Sequence, residues 1–307
     1  MVSVVIQGGA MRSIYCLGAV RALVDSGLAN RVTSIHSASA GCVSAAVLAS
    51  HIADEQAPAV AETGQRLVDV LANRRFINPS RLRRIVDVDY LVTTMRELTP
   101  ISVESLGSRG LVFEVGLTEA ETARAHYIDI AQVATDEDLV QALRATMAIP
   151  ALYPPKVLIG GRRYVDGGIA DPLPLLRALV RAPKVVVAIS SVPERRLART
   201  LQGREARMIQ HFPGIPATIK HLMLTLNPLA DAVDRIVSHG SIGGIRVIRI
   251  SPTDPALVGS RLEVDPGRLR KLEELGYTDG LASLATIGEV DGDGVLTAGT
   301  DVTGVDG

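Results

Sequence analysis

Three times along this chain a short run of β-branched and apolar residues ends at a turn rich in Gly, Ser or Asp and gives way to a helical pattern. The runs are residues 2–6, 32–36 and 184–190. Runs that are apolar at successive positions belong to strands covered on both faces. Strands that alternate with helices pair in parallel, because a parallel neighbour is reached only through a crossover. The expected fold class is therefore α/β, with a mainly parallel sheet between helices. After the first turn, Leu17, Val20, Ala22, Leu23 and Val24 supply the apolar face of a helix that stops at Asp25-Ser26-Gly27.

The remaining segments attach to that frame. Residues 54–108, interrupted by Pro58, Pro79 and Pro100, read as helices and loops laid over the sheet. Residues 111–117 and 126–130 read as strands joined by a polar hairpin, and residues 136–147 as a helix that ends before Pro150. Between 208 and 237 apolar residues recur every three to four positions, but Pro213, Pro216 and Pro228 divide the stretch into short helices. A last strand is expected at 246–250 and a last amphipathic helix at 266–284. One domain over 1–287 is expected, followed by a Gly- and Asp-rich tail, 288–307, with little to bury and hence disordered.

With 307 residues, 47% of them hydrophobic, the chain can bury a large core. Lys and Arg total 32 against 33 Asp and Glu, so no overall field argues for a nucleic-acid partner. Cys16 and Cys42 lie outside any C-x-x-C or Cys/His cluster and read as small buried apolar residues. Residues 1–6 read as a strand, not a signal peptide. The most apolar helical stretch, 40–52, is shorter than the roughly 20 residues of a bilayer span. The expected location is cytoplasmic, with membrane association left open.

Three local motifs carry chemistry. Ser37-Ala38-Ser39-Ala40-Gly41 lies between the second strand and a helix. Small-x-Ser-x-Gly in that setting forms a nucleophile elbow, a tight turn that exposes the serine hydroxyl above the sheet edge; a serine that merely caps the helix fits the same residues. Gln7-Gly8-Gly9-Ala10-Met11-Arg12 opens the first helix, where backbone N–H groups converge on an anion, either an oxyanion or a phosphate. It lacks both G-K-[ST] and the full G-x-G-x-x-G, which ranks the oxyanion role first. In Tyr164-Val165-Asp166-Gly167-Gly168 the two glycines let the Asp166 carboxylate approach another backbone closely, although Asp-Gly-Gly alone is an ordinary turn.

Taken in order with Ala142-Leu143-Arg144-Ala145-Thr146-Met147-Ala148-Ile149-Pro150 and Tyr153-Pro154-Pro155, these motifs resemble the patatin-like phospholipase family over roughly residues 2–285. The resemblance implies a patatin-type three-layer α/β/α fold. It further implies a Ser39–Asp166 dyad that hydrolyses acyl esters of lipids through an acyl-enzyme. Gly8, Gly9, Ala10 and Met11 would form the oxyanion hole, with Arg12, Gly41, Gly167 and Gly168 in support. No cofactor and no metal are expected. Two motifs depart from the family pattern, at three positions: G-G-G-x-R-G reads Gly8-Gly9-Ala10-Met11-Arg12-Ser13, with Ala10 and Ser13 in place of glycines, and the elbow's first glycine is Ser37. An alanine is strained at position 10 if the loop requires positive φ there.

Competing readings remain at this level. An ordinary triad would close on a late histidine, His211, His221 or His239, whereas His36 reads as packed or hydrogen-bonded within its strand. A non-catalytic lipid-binding or scaffold protein on the same fold is the alternative from another class. Arg74, Arg75, Arg81, Arg83 and Arg84 read as a solvated basic face ahead of a headgroup site. Residues 208–237 fit a lid, an acyl groove or plain core helices. Asp291-Gly292-Asp293-Gly294 misses the EF-hand spacing at Val295 and Leu296. The expected partner is a lipid or other acyl-ester substrate, with peripheral membrane contact left open and nucleic acid excluded.

Overall fold

The computed structural model describes residues 1–54, 57–81, 84–153, 157–194, 197, 200–290 and 296–298. Its strands are β1 (Val2–Ile6), β2 (Val32–Ala38), β3 (Val112–Glu119), β4 (Ala125–Asp129), β5 (Val157–Ile159), β6 (Arg162–Asp166), β7 (Val185–Ile189), β8 (Ser241–Ile242), β9 (Ile245–Ile250), β10 (Ile287–Val290) and β11 (Leu296–Ala298). Strands β3, β2, β1, β7 and β9 lie side by side in parallel, and β4, β5, β6 and β8 extend this sheet in antiparallel fashion.

The helices are α1 (Ile14–Asp25), α2 (Gly41–Ala53), α3 (Val60–Leu71), α4 (Val88–Leu98), α5 (Val103–Ser108), α6 (Asp136–Thr146), α7 (Leu175–Leu179), α8 (Gly203–His211), α9 (Ala217–Leu224), α10 (Pro228–His239) and α11 (Pro266–Leu284). Strand β1 directs Val4 and Ile6 into a large core that includes α1–α4, α6 and α11, and directs Val5 into a smaller one with α7 and α10. Strand β7 divides likewise, Val185, Val187 and Ile189 against Val186 and Ala188. Burial on both faces, at about 1.5–3 kcal/mol per large apolar side chain, is why these runs are apolar at successive positions. The fold is the expected three-layer α/β/α arrangement around a mainly parallel sheet.

One edge of β3 is shared by two strands. Val115 pairs with Ser37 on one side and Ile128 on the other, while Leu117 pairs with Asp166 and His126. Because β4 occupies one edge throughout, β2 and β6 must occupy the other. Strand β2 runs along it as far as Ala38 opposite Gly116, and β6 arrives from the opposite direction at Asp166 opposite Leu117. The C-terminal ends of the two strands therefore abut.

The β5–β6 hairpin is an addition to the sequence reading. Its two-residue turn is Gly160-Gly161, with φ of 55° and 76°, the pair of positive φ values that the tightest hairpins require. The tail contributes β10 and β11, which pair antiparallel; residues 291–295, with the Asp291–Gly294 motif, and residues 299–307 lie outside the described residues, as do Arg83 and Pro154-Pro155.

Helices α1 and α11 cross at unusually close range through facing glycines. A Cβ on Gly18 would fall 1.8 Å from the Glu273 carbonyl oxygen, and one on Gly276 2.0 Å from that of Tyr15. Overpacking of a tight core costs about 1–3 kcal/mol, so Gly276→Ala is expected to lower the unfolding free energy by at least that amount. Gly110→Ala, where nothing lies within 4 Å, is expected to cost less in the same denaturant titration.

Candidate active site

The abutting strand ends bring Ser39 and Asp166 together across 127 residues of sequence. Ser39 follows β2 directly and Asp166 ends β6. The Ser39 hydroxyl donates to Asp166 Oδ2 at 2.6 Å, and both residues are buried. Ser39 has φ of 56°, the left-handed conformation that costs a non-glycine residue roughly 1–2 kcal/mol. Thr146 holds it there: Ser39 N–H donates to Thr146 Oγ1 at 2.9 Å, and that hydroxyl donates onward to the Gly116 carbonyl at 2.6 Å. Gly41 begins α2 behind the turn, so the helix N-terminus faces the same space.

Asp166 is fixed as closely. Its Oδ1 accepts from Gly168 N–H at 2.8 Å, its own N–H donates to Ala148, and its carbonyl accepts from Thr118 Oγ1 at 2.8 Å. Gly167 passes so close to Gly116 that a Cβ would lie 1.9 Å from the Gly116 oxygen. Burial pushes the Asp166 carboxyl up to about 6, against the lowering effect of the hydrogen bonds from Ser39 and Gly168 and the positive field of Arg261.

The glycine loop lies against the elbow. A Cβ on Gly8 would stand 2.4 Å from Ser39 Cβ, so only glycine allows this approach. The N–H groups of Gly8, Gly9 and Ala10 have no hydrogen-bond partner among the described residues. Met11 differs: its N–H donates to the Arg261 carbonyl at 3.2 Å, which removes it from the expected set of free donors. Ala10 does adopt positive φ, 53°. The departure at Ser13 answers the one at Ala10, because Ser13 Oγ donates to the Ala10 carbonyl at 2.5 Å and pins the strained residue. Gln7 Oε1 accepts from Ser191 N–H and Ser190 Oγ, and Ser191 Oγ donates to the Gly8 carbonyl at 2.5 Å. Arg12 braces the loop through Nε to the Gly259 carbonyl at 2.8 Å.

A cleft opens from Ser39, Ala10 and Met11 between α1, α2 and α4, and its lining is apolar: Ile14, Val43, Phe76, Val88, Leu91 and Met147 among others. No residue of 208–237 lines it, so the acyl-groove reading of that stretch gives way to the 71–91 region, whose side chains reach the cleft. The late histidines are likewise not brought to the site. His211, His221 and His239 are exposed on α8, α9 and α10, and Ser39 bonds to the carboxylate directly. His36 is buried with Nδ1 3.0 Å from Glu114 Oε2. Despite its burial, Glu114 is held down at about 2 by the hydrogen bonds from His36 and Arg177. The Arg74–Arg84 stretch is not simply a solvated face: Arg81 pairs with Asp87, Arg84 with Asp87 and Asp89, and Arg75 stacks on Tyr90. Cys16 and Cys42 are free and buried, as expected. Among the described residues no group of three or more His, Cys, Asp or Glu side chains could hold a metal ion, and no helix is long and apolar enough to cross a membrane.

Two sites were not legible as such in the sequence. Thr146 lies within residues 142–150, whose pattern assigns it no role, and Arg261 lies in an irregular segment with no pattern at all. Thr146→Val leaves the Ser39 N–H and the Gly116 carbonyl unpaired in the interior, at about 1–3 kcal/mol per unsatisfied group; a melt should register that loss. Asp166→Asn should act in the opposite direction. The carboxyl titrates at about 6 in the fold and near 3.9 in the unfolded chain, so the unfolded chain loses its proton first and stability falls as pH rises between those values. Asparagine removes that penalty. The variant is expected to be more stable than the parent by on the order of 2 kcal/mol at pH 8, with the gap closing toward pH 4 in parallel denaturant titrations.

The geometry can be set beside known proteins. The family model of the patatin-like phospholipases matches residues 4–179, more than half of the chain, from within β1 through both Ser39 and Asp166. The uncharacterized protein YjjU of Escherichia coli (strain K12) is 24% identical over 235 residues, covering 71% of this chain and 60% of that protein. A crystal structure of VipD from Legionella pneumophila is similar at 14% identity and a TM-score of 0.47, over 92% of this chain and 66% of that one. The chain thus spans less than two thirds of the length of either. On the family match, this chain is a member of the patatin-like phospholipase family.

Proposed function

We propose that the protein is a serine carboxylic-ester hydrolase of lipids, working through a Ser39–Asp166 dyad and an acyl-enzyme. The observation that carries this reading is the 2.6 Å hydrogen bond from the Ser39 hydroxyl to the buried Asp166 carboxylate, at the mouth of an apolar cleft. In the first half-reaction Ser39 Oγ attacks the ester carbonyl while its proton passes to Asp166 Oδ2. The oxyanion is received by the free N–H groups of Gly8, Gly9 and Ala10, a contribution of roughly 3–4 kcal/mol per donor in other hydrolases. Collapse of the intermediate expels the alcohol, which takes the proton from Asp166 and leaves the acyl group on Ser39. Water then attacks the acyl-enzyme, with Asp166 accepting its proton, and the fatty acid leaves as the proton returns to Ser39.

A carboxylate near 3.9 is a weak base for this step. Burial raises Asp166 to about 6, which strengthens it as a base while keeping it ionised at neutral pH. The cleft suits an acyl chain, each buried CH₂ contributing about 0.8 kcal/mol.

Fatty-acid release from phospholipid and from short soluble esters, together with labelling by a fluorophosphonate probe, tests the reading. Ser39→Ala should abolish labelling and lower turnover by at least about 10³-fold. In the unaltered chain kcat/KM should fall on the acid side with a midpoint near pH 6, since protonated Asp166 cannot accept the Ser39 proton. Folded protein that leaves the probe unreacted at Ser39 would sink the proposal.

A further inference from the structure

The cleft beside Ser39 departs from its apolar character at one point. Among the described residues that line it, Arg261 alone carries a charge. It lies in the irregular segment between β9 and α11, which is fastened to the rest of the protein in several places. Thr253 donates to buried Asp279 through N–H at 3.1 Å and through Oγ1 at 2.6 Å. The Gly259 carbonyl accepts from Arg12 Nε, and the carbonyl of Arg261 itself accepts from Met11 N–H. Val258 and Leu262 pack against the large core. The backbone beneath Arg261 is thus tied to the loop in front of Ser39.

Its side chain is held far less firmly. Arg261 Nη1 meets Glu205 at 3.5 Å, with the two side chains 44% and 62% exposed. An exposed pair at that distance is worth little and is readily exchanged for a better anion. Arg261 lines the same cleft as Ser39, so a group bound there lies in the same cleft as the ester under attack, and the positive field of Arg261 is felt at Asp166 as well. A guanidinium offers a planar fork of donors that matches phosphate oxygens two at a time.

We propose that Arg261 is the headgroup-selecting residue of this site. It takes the phosphodiester of a glycerophospholipid whose acyl chain lies in the cleft, and so discriminates against neutral glycerides. The effect on turnover rests on the hydrolase reading of Ser39; the effect on binding does not. The residue acts on specificity and takes no part in bond making.

Binding is measured first in the Ser39→Ala protein, where turnover cannot interfere, with monomeric dihexanoylphosphatidylglycerol and dihexanoylglycerol as probes. Arg261→Gln should lower the ratio of the two affinities about tenfold, and Arg261→Lys should restore part of it. A ratio that stays within about twofold overturns the proposal, whether the phospholipid binds to both forms alike or to neither. Inorganic phosphate, which lacks an acyl chain, should displace the phospholipid poorly; equal competition would mean a free-anion site and would also overturn it. With Ser39 intact, the ratio of kcat/KM for the same two esters should fall through KM. A shifted acid midpoint with an unchanged ratio would mean that Arg261 acts only on Asp166, again overturning the proposal. If the unaltered chain hydrolyses neither ester, the hydrolase reading fails, while the binding ratio still decides the role of Arg261.

Discussion

The site depends on one edge of one strand. Strand β3 can pair on only two sides, and β4 fills one of them, so the other is divided end to end between β2 and β6 at Gly116 and Leu117. A parallel strand ending there points its following turn, with Ser39, at the junction. An antiparallel strand ending there delivers Asp166 to the same point. Thr146 closes the gap by satisfying both the Ser39 N–H and the Gly116 carbonyl. Backbone hydrogen bonding, which pairs nearly every buried donor and acceptor, therefore sets the distance between the two side chains.

The central strands were readable because burial on both faces leaves an uninterrupted apolar run. Residues 2–6, 32–36 and 184–190 correspond to β1, β2 and β7 within two residues, and the helix at 266–284 has the predicted bounds. Strand β6 was not readable as a strand, since Arg162 and Arg163 interrupt its apolar pattern and its partner β5 has only three residues. The signal lay in Gly160-Gly161, whose φ values fit a two-residue hairpin. Ser39 and Asp166 were recognisable only as members of an ordered set of motifs. Their contact follows from the division of the β3 edge, a long-range fact that no local pattern encodes. Met11 illustrates the limit well: its N–H is claimed by Arg261, 250 positions away.

The departures from the family's glycine pattern have different consequences. Ala10 takes the left-handed conformation that a glycine would adopt freely, and the Ser13 hydroxyl, at the position of another family glycine, bonds to its carbonyl. Two substitutions that look damaging singly are thus coupled in one loop. Ser37 has no such compensation, and its buried hydroxyl finds no partner among the described residues. Strain and unsatisfied polarity gather where Ser39, Ala10 and Asp166 meet, as expected of sites whose geometry is imposed by the surrounding fold.

The matched family region ends at residue 179, yet the site is completed from well beyond it. Helix α11 packs on α1 through glycines that admit no side chain. Asp279 on α11 then bonds to Tyr15 on α1 and to Thr253 in the segment that carries Arg261. A buried aspartate shared in this way transmits the position of one helix to the other and to the segment that borders the cleft. The first 179 residues supply the Ser39 turn, the glycine loop and the Asp166 carboxylate, all within the stretch that the family model matches. Among the described residues, Arg261 in the 251–284 stretch adds the one charge that lines the cleft, so under the proposed function the residue that would select the headgroup stands apart in sequence from the residues that would react with the ester.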